Sequence, residues 1–391
     1  MRYCLDGRQW PSELLHGLVD ECSEEFFRIV VERLADLFEP RLCDTYAELF
    51  SEAIAHVQPD IEACKLVERY RRVRRARSCR VEPANVFVLS RVTLGADIAV
   101  TSIILEAAKF RFPCARIHFV GGLKSAELFA DDSRIHHLPV HYPRGASLRE
   151  RLAPWKELEA LLSAPDSIVI DPDSRLTQLG LLPVCPEENY FFFESRSYGG
   201  DGDEDLSTLT RRWVSEVFGV AVQGPAISVH RNHAVQGCTV SLGTGGNAAK
   251  GIGDPFEAEL LACLAQYQGE AVDIIWIDKG AGGEEASRVD RAIALSGVPR
   301  DRVRLWEGSF AGFASIVARS KLYVGYDSAG QHAAAACGIP LVTIFAGYPS
   351  ERMFARWRPT GTGLIEIVKV DHPDPRSVLA QVKKSLDSLK I

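Results

Sequence analysis

Four clusters in this chain set residues capable of chemistry at the ends of apolar runs. The clearest is Leu322 to Phe345. Leu322–Val324 is a short apolar run closed by Gly325, and Asp327 and Ser328 precede an alanine-rich stretch. Asp and Ser there suit a helix N-cap. His332 follows about one helical turn beyond Ser328. Gly338 suits the C-cap, Pro340 forbids continuation, and Leu341–Phe345 reads as the next buried strand. A turn feeding a helix N-terminus offers free backbone N–H groups and the positive end of the helix dipole to an anion such as phosphate. The second cluster is Gly243-Thr244-Gly245-Gly246-Asn247-Ala248-Ala249-Lys250, after the apolar run Cys238–Leu242. Its glycines let backbone approach an anion closely, and Lys250 can add charge. It is not a P-loop, because no Gly-Lys-Ser/Thr occurs; the plain alternative is a flexible loop with a solvated lysine. The third, Lys279-Gly280-Ala281-Gly282-Gly283-Glu284-Glu285, again follows a strand, and its two acids also fit an ordinary helix start. The fourth is Arg91-Val92-Thr93-Leu94-Gly95-Ala96-Asp97, where Asp97 could take a proton from a hydroxyl or merely cap a helix. Asp171, Asp173 and Arg175 follow a further strand, although Asp-Pro-Asp-Ser is also a common turn. Gly325 to Gly330 is not a hydrolase nucleophile elbow, since no acid and histidine follow in order.

The elements that must hold these clusters alternate in type. Residues 1 to about 80 look all-helical. Trp10–Phe38 repeats apolar residues at helical spacing up to Pro40, Cys43–Val57 gives a second pattern, and a third begins near Asp60. A basic run follows: Arg69, Arg71, Arg72, Arg74, Arg75, Arg77 and Arg80. It reads as a face paired with the acidic helices before Ile61, with acidic lipid headgroups as the competing partner. From Asn85 strands and helices alternate. Val86–Leu89, Arg116–Val120, Ser167–Ile170 and Tyr190–Phe193 read as strands, and Ile98–Phe110 as a helix. A second unit begins near Pro225 with strands Cys238–Leu242, Val272–Ile277, Val303–Leu305, the run after Lys321, and Leu364–Val368. Its helices are Pro255–Tyr267, Arg288–Leu295, Phe310–Ala318 and Pro375–Leu389. This alternation predicts right-handed crossovers and two mostly parallel sheets. The expected division is a helical extension over 1–82, one α/β unit over 83–223 and another over 224–391. A ligand would then lie between the units, at the carboxyl ends of the strands.

The bulk numbers fit this picture. A chain of 391 residues is long for one core, and 46% hydrophobic with 25% charged residues is ordinary for a globular protein. A net charge of −7 gives no support to nucleic-acid binding. No apolar run reaches membrane-spanning length, and MRYCLDGRQW is not a signal peptide. The ten cysteines form no CxxC pair, which predicts a reduced, cytoplasmic chain with buried structural thiols and no metal site.

With Asp327, Ser328 and His332 followed by Gly338-Ile339-Pro340, the chain resembles the ADP-heptose:lipopolysaccharide heptosyltransferases and their glycosyltransferase family 9 relatives. Those enzymes carry an Asp-Ser/Thr-Gly-x-x-His turn before an alanine-rich helix. Their glycine falls on Ala329 here, and a glycine comes one place later at Gly330. The resemblance runs over about residues 85 to 370 and leaves the helical extension outside. It implies an α/β fold of the GT-B class, two Rossmann-like doubly wound domains facing a cleft. It also implies inverting, metal-independent and cofactor-free transfer of a sugar, heptose being one candidate. The donor would be a nucleotide-diphospho-sugar, with an ADP-sugar favoured, and the acceptor a glycan or lipopolysaccharide-type hydroxyl. The family has Leu/Met-Gly-Asp where Leu94-Gly95-Ala96-Asp97 stands, so Asp97 takes the role of base, with Ala96 inserted. One added residue on a helix turns a side chain through about 100°. Gly243, Thr244, Lys250, Asp327, Ser328, Ala329 and His332 would hold the donor diphosphate and sugar, and Glu284 or Glu285 the ribose. Arg91, Thr93, Asp171 and Arg175 would line the acceptor side. The extension could brace the first domain, dock a partner, or approach a membrane at its inner face. Two rivals share the architecture: a sugar-nucleotide epimerase, and a non-catalytic module that binds nucleotide-sugar, with Asp97 displaced by Ala96.

Overall fold

Val, Ile, Leu and Phe crowd the strands because both faces of each sheet are covered, as parallel sheets require. The computed structural model describes residues 10–21, 26–143, 145–229, 237–267, 273–280 and 282–389. The first sheet is formed by β1 (Asn85–Leu89), β2 (Arg116–Gly121), β3 (Ile135–Pro139), β4 (Ser167–Asp171) and β5 (Tyr190–Phe192) in the order β3-β2-β1-β4-β5. The second holds β6 (Cys238–Ser241), β7 (Ile275–Asp278), β8 (Val303–Trp306), β9 (Leu322–Tyr326), β10 (Leu341–Phe345) and β11 (Ile365–Lys369) in the order β11-β10-β9-β6-β7-β8. Every pairing is parallel, as the alternation predicted. The order reverses between β1 and β4 in one sheet and between β6 and β9 in the other. All the clusters of the sequence except Lys279–Glu285, which follows β7, leave from the carboxyl ends of those four strands, where doubly wound sheets bind ligands.

The helices before residue 82 do not stand apart. Leu15, Phe50, Ile54 and Tyr70 share one buried apolar cluster with Phe87, Leu89 and Val169. The alternate residues Val86, Val88, Ile168 and Ile170 bury the other face against helices Ser102–Arg111 and Leu206–Phe218. The two-residue period of the strands thus assigns one face to the extension. The pattern over Trp10–Phe38 is realised as Ser12–Glu21, then a π-helical turn Phe26–Val31 running into Glu32–Asp36. Pro40 both ends this run and opens helix Pro40–Val57, where its missing N–H costs nothing.

The basic run is spent on protein. Arg69 is buried, donates to Gly180 O at 2.7 Å and lies 4.6 Å from the Tyr190 ring. Arg71 pairs with Glu48 at 2.8 Å, Arg72 with Glu187 at 2.7 Å and Arg74 with Asp44 at 2.7 Å. Arg77 donates to the carbonyls of Glu187, Glu188 and Tyr190. The run therefore ties helix Ala63–Val73 to its acidic neighbour and to the approach to β5, and within it only Arg75 and Arg80 stay exposed without such a bond to a described residue. Among the described residues, no helix is long and apolar enough to cross a membrane.

Several elements differ from expectation. β3 and the helices Leu148–Leu152 and Trp155–Leu162 were not legible; β3 is a polar edge strand, Ile-His-His-Leu-Pro. Helix Gly283–Ser296 starts earlier than expected, with Gly297 at its C-cap in the left-handed region. Val272 and Ala281 lie outside the described residues, as do Cys4 and Cys22. Of the other eight thiols, all free, Cys43, Cys79 and Cys238 are buried as expected, whereas Cys64 and Cys114 are exposed.

Candidate functional site

The turn that carries Asp327 and Ser328 follows β9. Ser328 is the extended N-cap of helix Ala329–Ala336, but its side chain makes no capping bond. Its Oγ is buried beside the Tyr323 hydroxyl and makes no hydrogen bond of good geometry with any described residue. A buried hydroxyl left unmade is costly, so it marks a place where a polar group from outside would be welcome. The displaced glycine has a steric cause: a Cβ on Gly330 would lie 2.2 Å from the Tyr323 hydroxyl. Tyr323 is fully buried beneath the turn, so the close approach falls at 330 and Ala329 is tolerated.

Lys250 reaches this turn from the loop after β6. Its Nζ lies 2.6 Å from Asp327 Oδ2 and 2.9 Å from Asp327 O. Gln331 Nε2 donates to the other Asp327 oxygen at 2.5 Å, and Thr343 Oγ1 holds Gln331 Oε1 at 2.6 Å. The arrangement sets one cation beside a helix N-terminus, with its counter-ion on the same turn. His332 lies one turn in and is 5% exposed; burial pushes its pKa down to about 4, so it is neutral at ordinary pH. Its ring is 5.9 Å from Trp357. The turn Leu94–Ala96 packs directly on this helix: a Cβ on Gly95 would lie 3.2 Å from His332 Cδ2 and 3.5 Å from Ala329 Cα. Ala329 and His332 thus meet the loop after β1.

Of the two glutamates left open by the sequence, Glu285 is the one bound to the glycine loop. Its Oε1 accepts from Thr244 N at 2.8 Å and Thr244 Oγ1 at 3.0 Å, beside Gly243. Burial raises its pKa, but the Thr244 donors more than offset this and leave it below the usual value. Glu284, in the first turn of its helix, is exposed.

The loops after β1 and β4 are bonded inward. Asp97 is fully buried and accepts from Ser90 Oγ at 2.7 Å, Arg91 N at 2.7 Å and Thr101 Oγ1 at 2.8 Å. Burial raises its pKa despite these donors. A base must meet its hydroxyl, and this carboxylate is engaged within its own loop. The inserted Ala96 is the residue that lines the adjoining cavity. Asp171 is likewise buried, accepting from Thr177 Oγ1 at 2.5 Å, Tyr190 Oη at 2.6 Å and Ser174 N at 2.6 Å. Burial lifts its pKa to about 6. It braces the β4 loop, and Ser174 Oγ joins that loop to Ser90 O at 2.5 Å.

The cavity beside Ala96, about 250 Å³, is lined by Arg91, Thr93, Asp173 and Arg175 from the first sheet's loops and by Trp357 from the second unit. Glu32 and Asp36 of the extension close it. Arg91 lies 5.8 Å from the Trp357 ring centre, and Arg175 is 3.6 Å from Glu32. Helix Glu351–Trp357 is clamped across the gap. Arg352 bonds the carbonyls of Phe38 and Gly200, Arg356 that of Glu204 at 2.7 Å, and Arg358 that of Asp203 at 2.9 Å. A larger cavity of about 820 Å³ lies beneath residues 221–226, against Cys337 at the opposite end of helix Ala329–Ala336. It is far from the strand ends that carry the clusters, so size does not mark the site. Sequence reasoning missed Glu32, Asp36, Arg196 and Trp357, because periodicity scores apolar residues and gives no weight to an acid on a helix's polar side.

No protein-family model and no curated protein matches this chain. Solved structures do. A glycosyltransferase family 9 protein from Veillonella parvula aligns with TM-score 0.59 at 15% identity, over 80% of this chain and 99% of that one. The E. coli heptosyltransferase WaaC, solved with ADP, aligns with TM-score 0.57 at 16% identity, over 78% and 97%. The E. coli ADP-heptose lipopolysaccharide heptosyltransferase II aligns with TM-score 0.52 at 14% identity, over 78% and 100%. The likeness establishes the shared two-sheet GT-B architecture.

Proposed function

We propose that this chain is a glycosyltransferase that moves a sugar from a nucleotide-diphospho-sugar to a glycan or glycolipid hydroxyl. The observation that carries the reading is the turn after β9, where a buried unpaired Ser328 hydroxyl, a helix N-terminus and Lys250 converge. A diphosphate there would take N–H donors from the helix start and draw Lys250 from Asp327. Glu285, at the end of the glycine loop, is the better candidate for a ribose contact, in preference to Glu284. An adenine nucleotide is the first donor to test, since an architectural neighbour was solved with ADP.

In this reading the acceptor oxygen attacks the anomeric carbon from the face opposite the diphosphate. The carbon–oxygen bond to phosphate breaks, and its electron pair leaves on the nucleoside diphosphate. Lys250 and the helix dipole stabilise that charge, the part a metal ion plays elsewhere. The configuration inverts and no metal takes part. Arg91, Thr93 and Arg175 would face the acceptor, while Asp97 and Asp171 would hold the loops that present them. A lipid-facing role for the arginine run is left out, since most of its members are paired within the protein.

Incubation with ADP-heptose and other nucleotide-sugars, followed by NMR of the anomeric proton, tests the reading. Expected is a product of inverted configuration, formed equally in EDTA. Retained configuration, or full dependence on added metal, would contradict it. The burial of Asp97 favours a second reading, a module that binds nucleotide-sugar without turnover. That reading expects ADP binding with no product from any acceptor.

A further inference from the structure

Position 97 does not furnish a carboxylate to the cavity, and the residue that lines it there is Ala96. Three acids do line the cavity, and their bonding separates them. Asp173 is 1% exposed and lies 3.2 Å from Arg196 and 2.9 Å from Ser195 Oγ, so one of its oxygens is held by a cation. Glu32 is paired with Arg175. Asp36 makes no hydrogen bond or ion pair with any described residue, although the charge of Arg175 acts on it from nearby. A carboxylate engaged by cations is a weak proton acceptor, whereas an unengaged one at a cavity wall is free to meet a hydroxyl.

A second observation points to a ligand in the same cavity. The other oxygen of Asp173 is buried with no hydrogen-bond partner, as is Nη1 of Arg91. An orphaned acceptor and an orphaned donor on two lining residues match a group that both donates and accepts, as a sugar hydroxyl does. The charged lining balances, with Arg91, Arg175 and Arg196 against Glu32, Asp36 and Asp173, which suits a neutral polyol. Trp357 adds a flat apolar wall.

We propose that the N-terminal extension completes the acceptor site and that Asp36, not Asp97, is the catalytic base. The inference rests on the glycosyl-transfer reading. The acceptor's O–H proton passes to the Asp36 carboxylate as the acceptor oxygen bonds to the anomeric carbon. The diphosphate departs with its electron pair, and the proton is later lost to water. Burial holds the Asp36 pKa above the ordinary value; Arg175, Arg33 and Lys250 lower it and Glu32 raises it, without reversing the direction. Activity should therefore rise with pH through a limb set above the ordinary aspartate value.

The test compares Asp36→Asn, Asp36→Glu and Asp97→Asn, using ADP release from ADP-heptose with water and a monosaccharide panel as acceptors. Expected for Asp36→Asn is a loss of about 100-fold or more in rate, the scale of general-base catalysis. The affinity for ADP should be unchanged and the acidic limb absent, and Asp36→Glu should recover part of the rate. Wild-type rates in Asp36→Asn would overturn the assignment. Urea unfolding gives a readout that needs no substrate. Since Asp36 has no bond to lose, Asp36→Asn should be at least as stable as wild type, and a clear loss would make Asp36 structural. Wild-type protein that binds ADP yet never releases it from the donor contradicts the transfer reading, a failure distinct from that of Asp36.

Discussion

The turns after β1 and β9 are spelled alike and bonded differently. Each follows an apolar strand, carries an aspartate and opens a helix. After β1 the aspartate is wholly inside, accepting from Ser90, Arg91 and Thr101. After β9 the aspartate shares Lys250 and Gln331, while Ser328 keeps an unmet hydroxyl at the helix start. The first turn has closed on itself, and the second has polar capacity left for something else. The spelling of a motif locates a turn; its hydrogen bonds tell whether it holds the protein or awaits a ligand.

The harshest test of this contrast is Asp97→Ala. Three donors would be left buried and unmet, at about 4 kcal/mol in total, read from the shift in urea midpoint. A loss below about 1 kcal/mol would mean the turn is not closed as described. Asp171, the other inward brace, gives a pH signature. Its folded pKa of about 6 stands above the ordinary value of 3.8, so the folded state binds the proton more tightly. Stability from this group is therefore present at low pH and lost as pH rises from about 4 to 6, by about 3 kcal/mol. Comparing Asp171→Asn with wild type across that window should show a shallower slope in the variant, the difference being the share of Asp171. On the open turn, Lys250→Ala should weaken nucleoside-diphosphate binding by about 30-fold, or 2 kcal/mol, the scale of a charge-assisted bond. It should also cost stability, by about 2 kcal/mol, because the buried Asp327 carboxylate then loses its cation. The smallest effect belongs to Thr244→Val, which removes one hydroxyl bond to Glu285 and should cost about 1 kcal/mol in the urea midpoint.

The strand framework was legible because Val86–Leu89, Ser167–Ile170 and Leu341–Phe345 are apolar on both faces, a pattern few other settings produce. The clusters at the strand ends followed, while the strand orders and their switch points emerge only from the fold. β3 was not legible, since an edge strand carrying His136 and His137 has no continuous apolar run. The convergence of Asp327, Ser328 and Lys250 was readable because they belong to turns whose backbone form dictates residue type. Glu285 could not be told from Glu284 in sequence, as the choice depends on the Thr244 donors across a loop. Asp36 was beyond reach for a plainer reason. It stands on a helix of the extension, distant in sequence from both sheets, and only tertiary packing brings it to the cavity beside Ala96.

The central claim is that the open turn after β9 binds the diphosphate of a nucleotide. Thermal unfolding of wild type and Lys250→Ala, each with ADP, UDP, GDP and ADP-heptose, tests it most directly, because a ligand that binds the folded state raises the midpoint by mass action. The expected result is a rise with one nucleotide class that is largely lost in Lys250→Ala. A rise of equal size in the variant, or a flat response from folded wild-type protein across the panel, would contradict it.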